Sequence, residues 1–146
     1  MKNSLLSIFS ALSLLTSAAV AAPPTTSTTE PIKAVYHVNE PDKVWTALRN
    51  IQNHLRDDPS VHVVLVANGG GIDFLLKEAT DKHGTPFQPT LTELAGKGVT
   101  FKVCRNTLTS RKLTDDAVAD KVVVIQAAVA EIARLQQREG YAYLKP

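Results

Sequence analysis

The sequence of 146 residues has one cysteine and few aromatic side chains. A single cysteine, Cys104, cannot close an intrachain disulfide, which excludes a disulfide-stapled scaffold. No apolar run reaches the roughly 20 residues that a membrane-spanning helix needs. We therefore expect one small domain whose stability rests on packing, with no membrane association after export.

Neither sign of charge dominates the sequence. The 16 basic and 14 acidic residues give a formal net charge of +2. They are interspersed, and no basic stripe alternates with aromatic residues, so we expect no nucleic-acid partner.

Several motifs of cofactor and metal sites are absent. The chain has no G-x-G-x-x-G, P-loop or G-x-S-x-G element, and no cofactor is expected. The four histidines show no i,i+4 pair and no cysteine at ligand spacing, which argues against zinc; they are His37, His54, His62 and His83.

The N-terminal region has the layout of a secretory signal. Lys2 precedes an apolar run, and small residues follow it, with Ala19-Val20-Ala21 fitting a cleavage site. We expect a signal peptide over residues 1–21, cleavage after Ala21 and a periplasmic location. Residues 22–31 are rich in Pro and Thr and predict a flexible lead-in. The folded domain is then 32–146.

Apolar, β-branched runs alternate with helical patterns along this domain. The runs are continuous, which is typical of strands covered on both faces; they span residues 32–38, 61–67, 99–104 and 122–125. Helices are predicted after each run, including a short one over 72–78, and residues 141–144 predict an edge strand. The alternation predicts an α/β fold with a mostly parallel, five-stranded sheet and right-handed crossovers. It leaves the strand order open.

Cys104 lies where the third run passes into a helix. Backbone N–H groups at a helix N-terminus favour a thiolate, and we expect cations close in sequence, Lys102, Arg105 and Arg111, to lower the thiol pKa further. Asn106 belongs to the same junction. The alternative is a buried cysteine that acts as a small apolar residue, and position alone does not separate the two.

A second candidate element is the turn Asn68-Gly69-Gly70-Gly71. Its N–H groups could bind an anion, but a tight turn that passes close to neighbouring backbone is favoured over nucleotide binding. The turn remains a candidate wall of a pocket facing Cys104. His37, near the end of the first run, is a weaker candidate for a proton partner and is better explained as a satisfied strand histidine.

Three stretches of the sequence together resemble the DsrE/DsrF-like family. They are the segment from Gly98 to Leu108 followed by Arg111, the ending from Gly140 to Pro146, and the stretch from Val61 to Gly69. The resemblance implies a three-layer α/β/α domain and a homo-oligomer, often a trimer or hexamer. It also implies, in some members, sulfur relay in which the cysteine matching Cys104 carries a persulfide. Those relay members are cytoplasmic, whereas this chain carries an export signal.

Three functions follow as hypotheses. The first is a periplasmic sulfur carrier that uses Cys104 with a donor or acceptor protein. The second is a non-catalytic oligomeric binding module with a buried cysteine. The third is a redox sensor that works through sulfenic acid or an intermolecular disulfide.

Overall fold

A computed structural model describes residues 30–146 of the chain. The expected signal peptide and most of the expected lead-in lie outside these residues. No helix within 30–146 combines the length and apolarity needed to span a bilayer.

Five parallel strands form one sheet in the order β4-β3-β2-β1-β5, so the predicted α/β class is confirmed. The strands are β1 (Lys33–Val38), β2 (His62–Ala67), β3 (Thr100–Cys104), β4 (Val122–Ile125) and β5 (Ala142–Leu144). The helices are α1 (Val44–Asp57), α2 (Gln88–Gly96), α3 (Arg105–Ser110) and α4 (Ala128–Glu139). Short 3₁₀ segments cover Pro41–Lys43, Gly69–Leu75 and Asp115–Ala117.

The strand order explains how the helices are distributed. The chain steps in one direction from β1 to β4, and right-handed crossovers then place α1, α2 and α3 on one face. The return from β4 to β5 runs the opposite way, which places α4 on the other face. Two separate apolar clusters confirm these three layers, one around Leu48, Leu94 and Leu108 and the other around Ile132 and Leu135.

Apolar spacing explains the longest helices. The buried residues of α1 are Val44, Ala47, Leu48 and Ile51, which follow the i, i+3, i+4, i+7 pattern of one helix face. Ala128, Ile132 and Leu135 do the same in α4. Gly140 ends α4 in the left-handed conformation, with φ of 74°.

Two local predictions were wrong. Residues 72–78 do not form a helix of their own: the chain is 3₁₀ over Gly69–Leu75 and then turns so that Leu76 can bridge Val118. The fourth apolar run is not covered on both faces either. It forms edge strand β4, whose Val123 is 48% exposed, because α4 packs over β1, β2 and β3 instead.

Candidate functional site

Cys104 is the last residue of β3 and the N-cap of α3. Its backbone is extended, with φ of −76° and ψ of 118°, so the chain turns into the helix directly after it. The side chain lies on the α4 face, in the apolar cluster with Val35, Val66 and Ala128. The residue is only 5% exposed. The sulfur is therefore enclosed at the carboxyl edge of the sheet.

Polar groups surround this enclosed sulfur. The Sγ–H of Cys104 points to the carbonyl oxygen of Gln126 at 3.9 Å. Burial raises the pKa of the Cys104 thiol, but hydrogen bonding from the Ala128 and Thr107 N–H groups, the Thr107 hydroxyl and the Asn106 N–H outweighs it, and the net pKa lies below the ordinary value. The N-termini of α3 and α4 thus both contribute donors that stabilise a thiolate.

The loops that carry these donors are joined to each other. The Asn106 N–H donates to the Gln126 carbonyl at 3.3 Å, and the Gln126 Nε2 donates to Asn106 Oδ1 at 2.9 Å. This double link holds the start of α4 beside the start of α3. Gln126 was not predicted from the sequence because nothing in its local pattern distinguishes it from other residues between a strand and a helix.

The three cations near Cys104 in sequence are paired with carboxylates. Arg105 binds Asp115 through two hydrogen bonds of 2.7 and 2.8 Å, and Arg111 binds Asp73 at 2.6 Å. Lys102 bonds Glu131 in α4. The expectation that cations lower the pKa of Cys104 is therefore not supported: the groups that lower it are N–H and hydroxyl donors.

The glycine turn lies next to the cysteine loop and is used as a close-packing element. The Gly69 N–H donates to Thr107 Oγ1 at 3.1 Å, and the Gly71 N–H returns to the Asn68 carbonyl at 3.0 Å. A Cβ on Gly71 would lie 2.5 Å from the carbonyl oxygen of Val38. These N–H groups are used within the chain, which favours the tight turn over an anion nest.

Gly70 and Asn68 occupy the two sides of this turn. Gly70 packs against Pro41, where an added Cβ would be 3.1 Å from the proline Cδ, so it faces the loop after β1. Asn68 Oδ1 accepts a hydrogen bond from His37 Nε2 at 2.9 Å. The structure thus connects Gly69 to the cysteine loop through Thr107 and Asn68 to His37 in β1, and it shows no contact of Gly70 with the cysteine loop.

His37 uses both of its ring nitrogens. Because Asn68 Oδ1 is an acceptor, His37 Nε2 carries the proton, and Nδ1 can accept from the hydroxyl of Tyr143 in β5 at 2.8 Å. His37 is therefore a strand histidine whose two ring nitrogens are both hydrogen-bonded, and it orients the glycine turn. Tyr143 was not singled out from the sequence, since only the return of β5 beside β1 brings it to His37.

No group of three or more His, Cys, Asp and Glu side chains within residues 30–146 is arranged to hold a metal ion.

Comparisons with known proteins identify similar folds. A model of the DsrE/DsrF-like family matches residues 21–146. Among solved structures, the protein of unknown function MTH1491 from Methanobacterium thermoautotrophicum is 30% identical with a TM-score of 0.70, over 79% of this chain and 99% of that one. The ychN protein from E. coli is 15% identical with a TM-score of 0.66, over 80% and 100%, a likeness of fold. No curated protein matches the chain.

Proposed function

This chain belongs to the DsrE/DsrF-like family, and on that premise we propose that it is a sulfur carrier in which Cys104 accepts and passes on sulfane sulfur. Family membership suggests a sulfur-relay-related role. The observation that supports the use of Cys104 is the place of its sulfur beside the starts of α3 and α4, where N–H groups and the Thr107 hydroxyl lower its pKa. A thiolate held in this way is available as a nucleophile nearer to neutral pH than a free thiol is.

The transfer needs no external oxidant or reductant. The Cys104 thiolate attacks the outer sulfur of a donor persulfide, R–S–SH, and the donor S–S bond breaks with its electron pair leaving on R–S⁻. Cys104 then carries –S–SH. An acceptor thiolate attacks that outer sulfur, and Cys104 is released as a thiolate. The donors from Ala128, Thr107 and Asn106 stabilise the anion at the start and at the end of this cycle.

Intact-mass spectrometry after incubation with polysulfide tests the proposal. We expect the native protein to gain whole sulfur atoms, to lose them on treatment with dithiothreitol, and to pass labelled sulfur to an added thiol. Cys104→Ser should gain none. A native protein that stays unmodified, or whose sulfur dithiothreitol cannot remove, would overturn the proposal.

A second candidate is a non-catalytic module in which Cys104 has a packing role. The observation that favours it is the low exposure of the residue, 5%, together with its apolar contacts to Val35 and Val66. Iodoacetamide separates the two functions. Labelling of the folded protein supports the carrier, whereas labelling that occurs only after denaturation supports the packing role.

We also propose that the chain forms a homo-oligomer through the α4 face. Val129 in α4 is 68% exposed, and Val123 lies on the same face because it pairs with Lys102, whose side chain reaches α4. Covering such side chains on assembly is favourable. Light scattering should show a multimer that Val129→Asp weakens and that Ala130→Asp weakens less, because the exposed Ala130 lies about 100° further around α4. A monomeric native protein would exclude the assembly.

The proposed site of action is the periplasm. The support is the pattern of residues 1–21, and cell fractionation tests it. We expect the full-length chain in the periplasmic fraction with Ala22 as its first residue, and a chain without residues 1–21 in the cytoplasm. Retention of the full-length chain in the cytoplasm would contradict the export.

A further inference from the structure

A pocket of about 500 Å³ opens on the face of the sheet opposite Cys104. Its walls come from three segments: the chain after β1, the 3₁₀ segment after β2, and the loop that leads into α2. The lining residues Val44, Trp45, Phe74 and Phe87 belong to or border the α1 and α2 cluster, and no lining residue belongs to the cluster that holds Cys104. The pocket is therefore separate from the proposed sulfur site.

Three aromatic rings form one wall of this pocket. Trp45 packs on Phe87 with ring centroids 4.9 Å apart at 31°, and Phe74 meets Phe87 edge to face at 5.9 Å. Phe74 and Phe87 are buried, whereas Trp45 is half-buried. The indole is consequently the aromatic surface that a bound molecule can reach.

The position of this indole is fixed by a carboxylate. Trp45 Nε1 donates to Asp81 Oδ2 at 3.0 Å. Asp81 Oδ1 accepts the N–H groups of His83 at 2.8 Å and Thr85 at 2.9 Å, so the loop is closed around the aspartate. A carboxylate on the indole N–H adds electron density to the ring and strengthens its attraction for a cation. The wall is thus ordered before any ligand arrives.

The pocket lining holds more carboxylates than cations, and two of the three carboxylates are ion-paired. The lining contains Asp42, Asp73 and Asp81 against one lysine, Lys82. Arg111 neutralises Asp73, but Asp42 is 72% exposed and its ion-pair partner, Lys43, is 3.8 Å away. Asp42 is therefore the carboxylate most open to a ligand.

From these features we propose that the pocket binds a small organic cation, an ammonium group carried on an apolar or aromatic body. The apolar walls would bury the body of the ligand, and the indole face and Asp42 would hold the charge. An ammonium over an indole face is attracted by the negative potential of the ring, and the attraction is stronger when the charge is desolvated. The proposal is independent of sulfur transfer.

Trp45 is the sole tryptophan of the chain, so its fluorescence reports the pocket directly. We would titrate the full mature protein with benzyltrimethylammonium, with benzyl alcohol as the neutral probe and benzenesulfonate as the anionic one. The expected result is a saturable change with the cation and affinities at least about threefold weaker for the other two. Cys104→Ser should bind the cation as the native protein does, which keeps this test apart from the sulfur proposal.

Asp42→Asn and Phe87→Leu complete the experiment. Asp42→Asn should weaken the cation about two- to fivefold and leave benzyl alcohol unchanged, since the residue is exposed and its loss does not disturb the core. Asp57→Asn, at the end of α1 and outside the pocket, is the matched control. Phe87→Leu should weaken both probes. Equal binding of all three probes, or no saturable change with the cation, would overturn the proposal.

Discussion

The backbone N–H of Gly69 donates to the hydroxyl oxygen of Thr107 at 3.1 Å. The same hydroxyl lowers the pKa of the Cys104 thiol by hydrogen bonding to its sulfur. The glycine turn after β2 therefore orients a donor in the first turn of α3. This relationship joins the two candidate elements that the sequence showed separately.

Thr107→Val is expected to raise the pKa of the Cys104 thiol. The variant keeps the shape of the side chain but loses one hydrogen bond to the thiolate, worth about 1 kcal/mol or about 0.5–1 pH unit. The measurement is the rate of iodoacetamide labelling against pH, which rises as the thiol ionises. Its midpoint should be below the ordinary thiol value in the native protein and higher in Thr107→Val.

Thr109→Val is the control for that variant, since Thr109 is exposed on the same short helix. Its midpoint should equal that of the native protein. Identical midpoints for native and denatured protein would show that the folded site does not stabilise the thiolate.

Arg105→Gln and Arg111→Gln are expected to leave that midpoint unchanged within about 0.2 pH unit, because exposed charges are strongly screened and both arginines already pair with aspartates. The same labelling profile measures this. A rise of the labelling midpoint comparable to that of Thr107→Val would show that the cations do lower the pKa of Cys104.

Gly71→Ala is expected to destabilise the fold by about 2–4 kcal/mol. The new Cβ would lie 2.5 Å from the carbonyl oxygen and 2.7 Å from the carbonyl carbon of Val38, and backbone in the central sheet cannot move aside. Urea unfolding followed by circular dichroism measures the loss. Gly96→Ala is the control: a Cβ there meets nothing within 4 Å, and the variant should be neutral or slightly more stable.

Glu131 contributes stability that depends on pH. A hydrogen bond from Arg134, opposed by burial and assisted by Lys102, lowers the pKa of Glu131 to about 2. Because the folded pKa is below the unfolded one, this stability is complete above the unfolded value near 4.5 and is lost as the pH falls toward 2. Glu131→Gln should cost about 2 kcal/mol at pH 7, and the difference from the native protein should vanish near pH 2.

The control for this variant is Glu93→Gln. Glu93 forms an exposed i,i+4 pair with Lys97, and such pairs contribute about 0.5 kcal/mol or less. Urea midpoints at pH 7 and pH 2 separate the two glutamates. Equal losses of unfolding free energy at both positions would show that the enclosed position of Glu131, whose side chain is 13% exposed, does not increase its contribution to stability.

The strands and most helices were predictable because their signals are local. Gly140 after α4 and the Asp58-Pro59 stop after α1 predict helix ends from a few residues. The segment after Gly71 was mispredicted because its conformation depends on contacts with Val38 and Val118, which are distant in sequence. The same holds for β4, whose exposure depends on where α4 crosses the sheet.

The sequence by itself determined that Cys104 is the lone cysteine, that it stands between a strand and a helix, and that the domain is α/β. The tertiary structure decided what surrounds the sulfur. Gln126 and Ala128 come from the next crossover, and Gly69 lies 38 residues before the Thr107 that it orients. A lowered thiol pKa depends on hydrogen-bond donors within a few ångströms of the sulfur, and only the strand order brings these donors together. The tertiary structure also pairs the neighbouring cations with carboxylates.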